Sequence, residues 1–523
     1  SIPSFSRPLV TGAAFPNVSF TSLSVSAPEP PSPELPHAAM KTAARQTSAR
    51  SGSRSGRRIG GVQAGVRPAS GTDRSIGIVP RHPVALPALT LLALALPGAA
   101  QASAPDVLVL NTHGRIVVQQ DRFMPPAGAD ELPPPGAPDA RATTTTPPPP
   151  AGRAAAVRAT VPSRLRALVR AGKLAEADAK EYAAAYAGAR RTVKRLKGVA
   201  RAELASVLRN AEGQAAEGLL TSSRVKVVLT TVKRNAQWFA ANGPVAYGRR
   251  MKFEGSRLVW QFYPGQGVQI QWLGTFGRMN QLFLAKGYDT ELAAMAREIR
   301  SYAVDRAGGI AWEYQFVFGG GRPPWVSGLA QGTGIQTLSR AAVRLKDPHW
   351  FDVARSALGI FRTPPPSGVR IKVGGGAHYL AYSYAPGQRI YNAFLQSVIG
   401  LHDFAFLAND PLGRRLYLDG ERVARVEVRQ ADTGSWSLYQ PGVASDMGYH
   451  KVLRDFTRGL CSRLNVDRER AAIRLRDRTG NDGAVLRAFA SYPDSGPFCV
   501  TQQHLNRYLY ARLKALGLPG PWG

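Results

Sequence analysis

The sequence predicts a mostly α protein: an (α/α) toroid or incomplete barrel, with a small β-hairpin element and an N-terminal helical module. Three observations predict it. Apolar residues recur at three- and four-residue spacing in segment after segment from Gly267 onward. Aromatic and Gly/Pro-rich loops separate those segments, as between helical hairpins that turn at one end of a ring. A further helical stretch, residues 162–242, precedes them. About 270 residues after position 248 are ample for one large core.

In chain order, residues 1–102 read as an upstream stretch followed by a signal peptide. No Met occurs before Met40, and the chain is then basic and Ser/Arg/Gly-rich as far as Arg81. An apolar run from Val84 to Leu96 follows, and Ala100-Gln101-Ala102 has the small-x-small pattern of a signal-peptidase site. The alternative for that run is a short buried helix. The run is too short to cross a bilayer as a permanent helix, and nothing after Leu96 has the length or apolarity of a span. The expected location is therefore secreted or cell-wall associated. Residues 103–160 read as a Pro-rich linker, because "PPAGADELPPPGAPDARATTTTPPPP" (Pro125 to Pro150) offers nothing for a core to bury.

Residues 161–248 read as the N-terminal helical module. Pro162-Ser163 is a start signal, Tyr182, Tyr186, Ala189, Val193 and Leu196 share one face, and Asn242-Gly243-Pro244 is a stop. Residues 249–523 read as the toroid. It opens on a hairpin, since Phe253, Leu258, Trp260 and Phe262 alternate with polar neighbours. Helices are expected over 268–286, 289–306, 328–346, 349–361, 389–408, 449–464 and 501–515. The strand-like piece "RVARVEV" (Arg422 to Val428) is a minor element.

The net charge of +32, from 67 Lys+Arg against 35 Asp+Glu, favours a polyanionic partner. Predicted export and the lack of a reader motif disfavour nucleic acid and leave an anionic polysaccharide. A solvated Arg-rich face is the plain alternative. Cys461 and Cys499 are the two cysteines and are expected to pair outside the cytoplasm, two buried thiols being the other option. No His/Cys/Asp spacing has a metal-ligand pattern, and no cofactor is called for. The oligomeric state stays open, with a homodimer among the options.

Chemistry is expected on loops held by a rigid scaffold. These loops gather Trp312, Glu313, Tyr314, Trp325, Tyr382, Tyr384, Tyr439, Tyr449 and His450. Four tyrosines, Tyr379, Tyr382, Tyr384 and Tyr391, crowd residues 378–391. Rings stack on sugar faces, and a phenol moves a proton when a neighbouring cation lowers its pKa of ~10. Filling the mouth of the ring is the plain alternative for each.

Several of these stretches resemble the D-glucuronyl C5-epimerase C-terminal domain. "WVSGLAQGTGIQTLSRA" (Trp325 to Ala341) is similar to its Ala-Gln-Gly helix. "HYLAYSYAPGQRIYNAFLQSVIGLHDF" resembles its Trp-Tyr-Glu-Glu-Tyr-Pro loop, Leu-Asn-Gly and following helix, without a gap from Tyr382 to Asn392. "DTGSWSLY" and "YH" (Tyr449-His450) resemble the next two motifs in order, and "FYPGQGVQIQWLG" resembles the entry segment more loosely. The resemblance covers about 200 residues.

It implies inversion of carbon 5 of glucuronate within a polymer, giving iduronate. The site would neutralise the carboxylate and place one acid/base group on each face of that carbon. By resemblance Tyr382, Tyr439 and Tyr449 take the catalytic positions. Tyr384, Asn392, His450, Gln331, Trp325 and Arg340 would contact substrate or orient the rings, with Arg389 as a second cation. The chain departs from the pattern where Leu380 and Ala381 replace two glutamates, in Gln440-Pro441-Gly442, which lacks an arginine, and at Leu453, which replaces a histidine. Glu313 is the expected replacement carboxylate. Beside epimerisation, two alternatives follow: lyase-like β-elimination on uronates, and glycan binding without catalysis. Tyr379 and Tyr391 are expected to pack. All of this requires phenols distant in sequence to meet at one mouth near positive charge.

Overall fold

The computed structural model describes residues 105–125, 159–481, 483–485, 487 and 492–520. The expected signal peptide and most of the expected linker lie outside them.

Among the described residues the chain is mostly helical, with small hairpins, one open sheet and no closed one. The sheet is larger than the single hairpin expected. Strands β1 (Asp106–Leu110), β2 (Ile116–Gln120), β3 (Arg250–Phe253), β4 (Trp260–Tyr263) and β5 (Gly267–Ile270) run in the order β2-β1-β3-β4-β5. The expected hairpin is β3–β4, paired antiparallel at Arg250↔Gln261 and Met251↔Trp260, and β5 extends it from Trp260↔Ile270 to Tyr263↔Gly267, where a helix was expected from 268. β1 lies parallel to β3, and β2 antiparallel to β1. Residues 105–125 are thus not linker. Val107 and Val109, with half-buried Leu108 between them, pack on Met124 and Val259, a short signal masked by the Pro-rich sequence beside it.

Four helices follow β2: α1 (Val161–Arg170), α2 (Glu176–Arg195), α3 (Gly198–Ala216) and α4 (Ser222–Ala241). Thr160 and Ser163 form the capping box that starts α1. Asn235 of α4 donates to the Val268 carbonyl and accepts from its amide, 2.7 Å each way, and Glu203 of α3 accepts from the amides of Gly265 and Gly267. One continuous apolar core runs from Val161 through the sheet to Tyr508, so no break in packing marks position 248.

Then come α5 (Trp272–Leu284), α6 (Asp289–Ser301), the hairpin β6 (Val304–Arg306) and β7 (Gly309–Ala311), α7 (Gly328–Leu345), α8 (His349–Ser356) and α9 (Gly359–Arg362). The hairpin β8 (Arg370–Val373) and β9 (Gly376–Tyr379) leads to α10 (Tyr391–Leu407) and α11 (Pro411–Gln430). Short strands β10 (Leu438–Gln440) and β11 (Val443–Ala444), then α12 (Met447–Thr479) and α13 (Gly496–Ala515), complete the chain. Every expected helix has a counterpart, although 349–361 divides into two and α12 runs well beyond 464.

The strand-like Arg422–Val428 is helical instead, inside α11. Asp410 caps that helix and Pro411 opens it, while Leu416, Tyr417, Val423, Ala424 and Val428 form a buried 3.6-period stripe that overrides the local alternation. α7 and α10 pack backbone to backbone. A Cβ on Gly332, in the Ala-Gln-Gly helix, would fall 2.7 Å from the Ser397 Cα, and one on Gly400 would fall 2.1 Å from the Gly332 carbonyl oxygen, so both positions require glycine. No helix among the described residues is long and apolar enough to cross a membrane.

Candidate active site

Phe318 and Gly321 exchange backbone hydrogen bonds across Gly319 and Gly320, both at positive φ, in a tight turn that glycine pairs favour. The strands of that turn bring Tyr314 against Trp325, paired by backbone and stacked 4.3 Å apart. Beyond β9, Ser383 accepts a hydrogen bond from the Val326 amide, fixing the tyrosine loop to the start of α7. Tyr382 and Tyr384 stack at 5.4 Å, each meeting Trp325 edge-on.

These elements wall a recess of about 470 Å³, part of it open to solvent. Tyr382, Trp325 and Asn392 line it, and Tyr439 on β10 closes it from another part of the chain. The Tyr449 ring lies 4.3 Å from that of Tyr439, behind the lining. The residues expected to do chemistry thus assemble around one hollow. Tyr384 stacks behind Tyr382, and burial pushes its phenol far above its ordinary value.

Other expected contacts are placed elsewhere. His450 is wholly buried, its Nδ1 meeting the Ser437 hydroxyl at 2.8 Å and its Nε2 the Leu505 carbonyl at 2.9 Å. Burial lowers its pKa, and the carbonyl partner assigns the proton to Nε2. It ties α13 to the loop carrying Tyr439 and does not line the recess. Gln331 is a core residue whose Nε2 donates to the Trp312 carbonyl.

Glu313 is 1% exposed and held by Arg224, at 2.7 and 2.8 Å, and by Arg306 at 2.6 Å. So held, Glu313 stands outside the recess lining, away from the position of Ala381, which the family pattern fills with glutamate. Arg340 donates to Asn280 and Asp403, both at 3.0 Å, and Arg389 pairs with Glu427. Neither cation reaches the recess. Among the described residues no Asp, Glu, His, Lys or Arg lines it, and the expected positive charge is absent from its wall. Tyr379 packs as expected, its hydroxyl on the Leu416 carbonyl, and so does Tyr391. Cys461 and Cys499 form the expected disulfide.

Tyr263, Gln271 and Ser327 also line the recess and went unassigned in the sequence. Gln271 donates from Nε2 to the Tyr263 hydroxyl at 3.2 Å while its Oε1 caps α5 at Gly274. The Tyr314 hydroxyl accepts from the Leu273 amide at 3.3 Å. Cap positions ahead of an apolar helical run were the available signal for Gln271 and Ser327.

Residues 306–468, which carry this wall from Tyr314 to Tyr449, match the family described as D-glucuronyl C5-epimerase C-terminus. Through this segment the chain is similar to the D-glucuronyl C5-epimerase family. D-glucuronyl C5-epimerase of Caenorhabditis elegans is 35% identical over 130 residues, 22% of this chain and 21% of that protein. The chain thus matches about a fifth of the length of this epimerase. The solved endo-beta-1,4-glucanase CMCax from Acetobacter xylinum aligns with 46% of this chain and 89% of its own, at 14% identity. Its TM-score of 0.28 is too low to bear on the fold of this chain.

Proposed function

We propose that this chain epimerises carbon 5 of hexuronate residues in a polysaccharide. One tyrosine enters as phenolate and takes the proton from carbon 5, and the C–H electron pair moves into the adjoining carboxylate as an enediolate. A second tyrosine then delivers its hydroxyl proton to the opposite face, restoring the C–H bond with inverted configuration. No electron is gained or lost, and a proton returning between the two phenols resets the site. Tyr382 stands on one side in this scheme and Tyr439, backed by Tyr449, on the other.

The observation that carries it is the meeting of Tyr382 and Tyr439 at one recess with Asn392, within the family-matched segment. As part of the same proposal, residues 249–523 form an incomplete (α/α) toroid with the recess at one mouth. Support comes from α5, α7 and α10, which all begin at the recess wall. The proposed partner is an anionic polysaccharide met outside the cytoplasm, a setting that the closed disulfide favours.

A second reading, glycan binding without catalysis, is favoured by one observation: Ala381 lines the recess where the family pattern has glutamate. Incubation with glucuronate-containing polymer in heavy water separates them. Epimerisation places deuterium at carbon 5 in chains of unchanged length, and Tyr382→Phe or Tyr439→Phe lowers that incorporation at least 100-fold. Retention of polymer with no incorporation removes the epimerase proposal, and ultraviolet-absorbing unsaturated ends replace it with β-elimination.

A further inference from the structure

Tyr439 reaches the recess on β10, a strand of three residues. So short a strand fixes a side chain poorly by itself, and a misplacement of about 1 Å can cost on the order of 100-fold in rate. The loop before it, residues 432–437, closes on itself. Asp432 bridges Ser437, and the Thr433 hydroxyl takes the Trp436 amide at 2.9 Å. Both ends of this loop are then tied to α13, which lies beyond the family-matched residues 306–468.

At one end, Asp432 Oδ2 meets His504 Nδ1 at 2.7 Å. Its Oδ1 accepts from the Tyr508 hydroxyl at 3.1 Å and from the Gly434 amide at 2.9 Å. The carboxylate partner assigns a proton to His504 Nδ1. At the other end, the Ser437 hydroxyl meets His450, whose Nε2 is held by the Leu505 carbonyl, and Trp436 stacks on the same imidazole at 3.8 Å. His504 and Tyr508, four residues apart, share one face of α13.

The helix is anchored independently of the loop. Phe498, Leu505 and Leu509 are wholly buried, Cys499 is bonded to Cys461 of α12, and the Ser495 hydroxyl donates to Asn465 of α12 at 2.6 Å. The loop is exposed at Thr433, Gly434 and Ser435, so it is the part that the helix holds in place. The His504 side chain is 37% exposed and adds little to the core, which leaves its bond to Asp432 as its evident contribution.

We propose that His504 and Tyr508 are positioning residues for Tyr439. Through Asp432 they dock the loop on α13 and so set where β10 presents the Tyr439 phenol. Neither lines the recess, and Trp325, Tyr382 and Asn392 line it from other elements, so the clamp governs turnover and leaves polymer binding alone. This rests on the assignment of proton transfer to Tyr439.

The test joins steady-state deuterium incorporation into glucuronate-containing polymer with peptide-resolved amide hydrogen exchange, both on the full chain. His504→Leu combined with Tyr508→Phe leaves Asp432 with the Gly434 amide alone. Its kcat falls at least 10-fold with KM within twofold of wild type, and amides of residues 436–440 exchange at least 10-fold faster while those of α12 and α13 keep their rates. His504→Leu alone gives the same pattern at 3-fold or more. His504→Asn, whose side-chain amide can replace the Nδ1 donor, stays within twofold of wild type in both measurements. Unchanged exchange at 436–440, unchanged kcat in an active enzyme, a rise in KM alone, loosening that extends through α13, or failure of His504→Asn to restore the rate overturns the proposal. Faster exchange confined to 436–440 in a protein whose wild type places no deuterium at carbon 5 keeps the docking of the loop and removes the epimerase function.

Discussion

The Tyr384 ring lies directly on the Gly321 backbone, so close that a Cβ there would come within 2.2 Å of it. Tyr384 in turn stacks on Tyr382 at the recess wall. Gly321→Ala therefore forces Tyr384 away and releases its neighbour. The expected result is at least a 10-fold loss of deuterium incorporation, with about 1–3 kcal/mol of overpacking in urea denaturation and unchanged helical circular dichroism.

Behind the recess, Asp403 on α10 joins three helices. It accepts from Arg463 at 2.7 and 3.0 Å and from Arg340 and Gln336 at 3.0 and 2.8 Å. Burial alone would raise its pKa, but Arg463 and Arg340 outweigh that and hold it well below the usual carboxylate range. Asp403→Asn leaves two buried guanidiniums without their charge partner. Unfolding free energy should fall by about 3–5 kcal/mol, read from the denaturation midpoint.

Two neighbouring groups titrate in the opposite sense. Burial disfavours a charged His402, yet Asp403 and Asp467 outweigh it and raise its pKa. Burial pushes the Glu421 carboxyl up to about 7, above the opposing pull of Arg425. For both, the folded pKa exceeds the unfolded one. Their stabilisation is whole below the unfolded values, roughly 6.5 for His and 4.3 for Glu, and is lost as pH rises through the folded values. The melting temperature should decline from about pH 5 to about pH 8. Glu421→Gln should make that decline shallower by up to about 3 kcal/mol, measured by scanning calorimetry across the range.

The Cys461–Cys499 bridge closes a loop of 38 residues between α12 and α13. Chain entropy assigns such a loop about 4 kcal/mol. Reduction, or Cys461→Ser with Cys499→Ser, should lower unfolding free energy by that order in a denaturant titration.

Most helix positions after residue 160 were legible because apolar period and start or stop signals agree locally, as at Pro162-Ser163 and Asn242-Gly243-Pro244, whereas α11 was not, since Arg422–Val428 alternates like a strand. The hairpin at 105–121 was not, since five-residue strands carry little signal and their pairing with β3 joins positions more than 140 apart. The tyrosine loop and "DTGSWSLY" pointed to Tyr382, Asn392 and Tyr439, and these three line one recess. Glu313, Gln331, Arg340 and His450 looked equivalent to them in sequence. Each is bound to a partner far along the chain, which no spacing rule shows.

By itself the sequence determined the helical class, the resemblance to the epimerase family and the aromatic character of the loops, and it favoured paired cysteines, all from composition, period and motif. Tertiary structure alone decided which polar groups face the hollow and which are used up inside. The reason is that availability for chemistry depends on where every competing partner lies. Glu313 is neutralised by two arginines from other elements, whereas Tyr382 and Tyr439, far apart in the chain, line the hollow together.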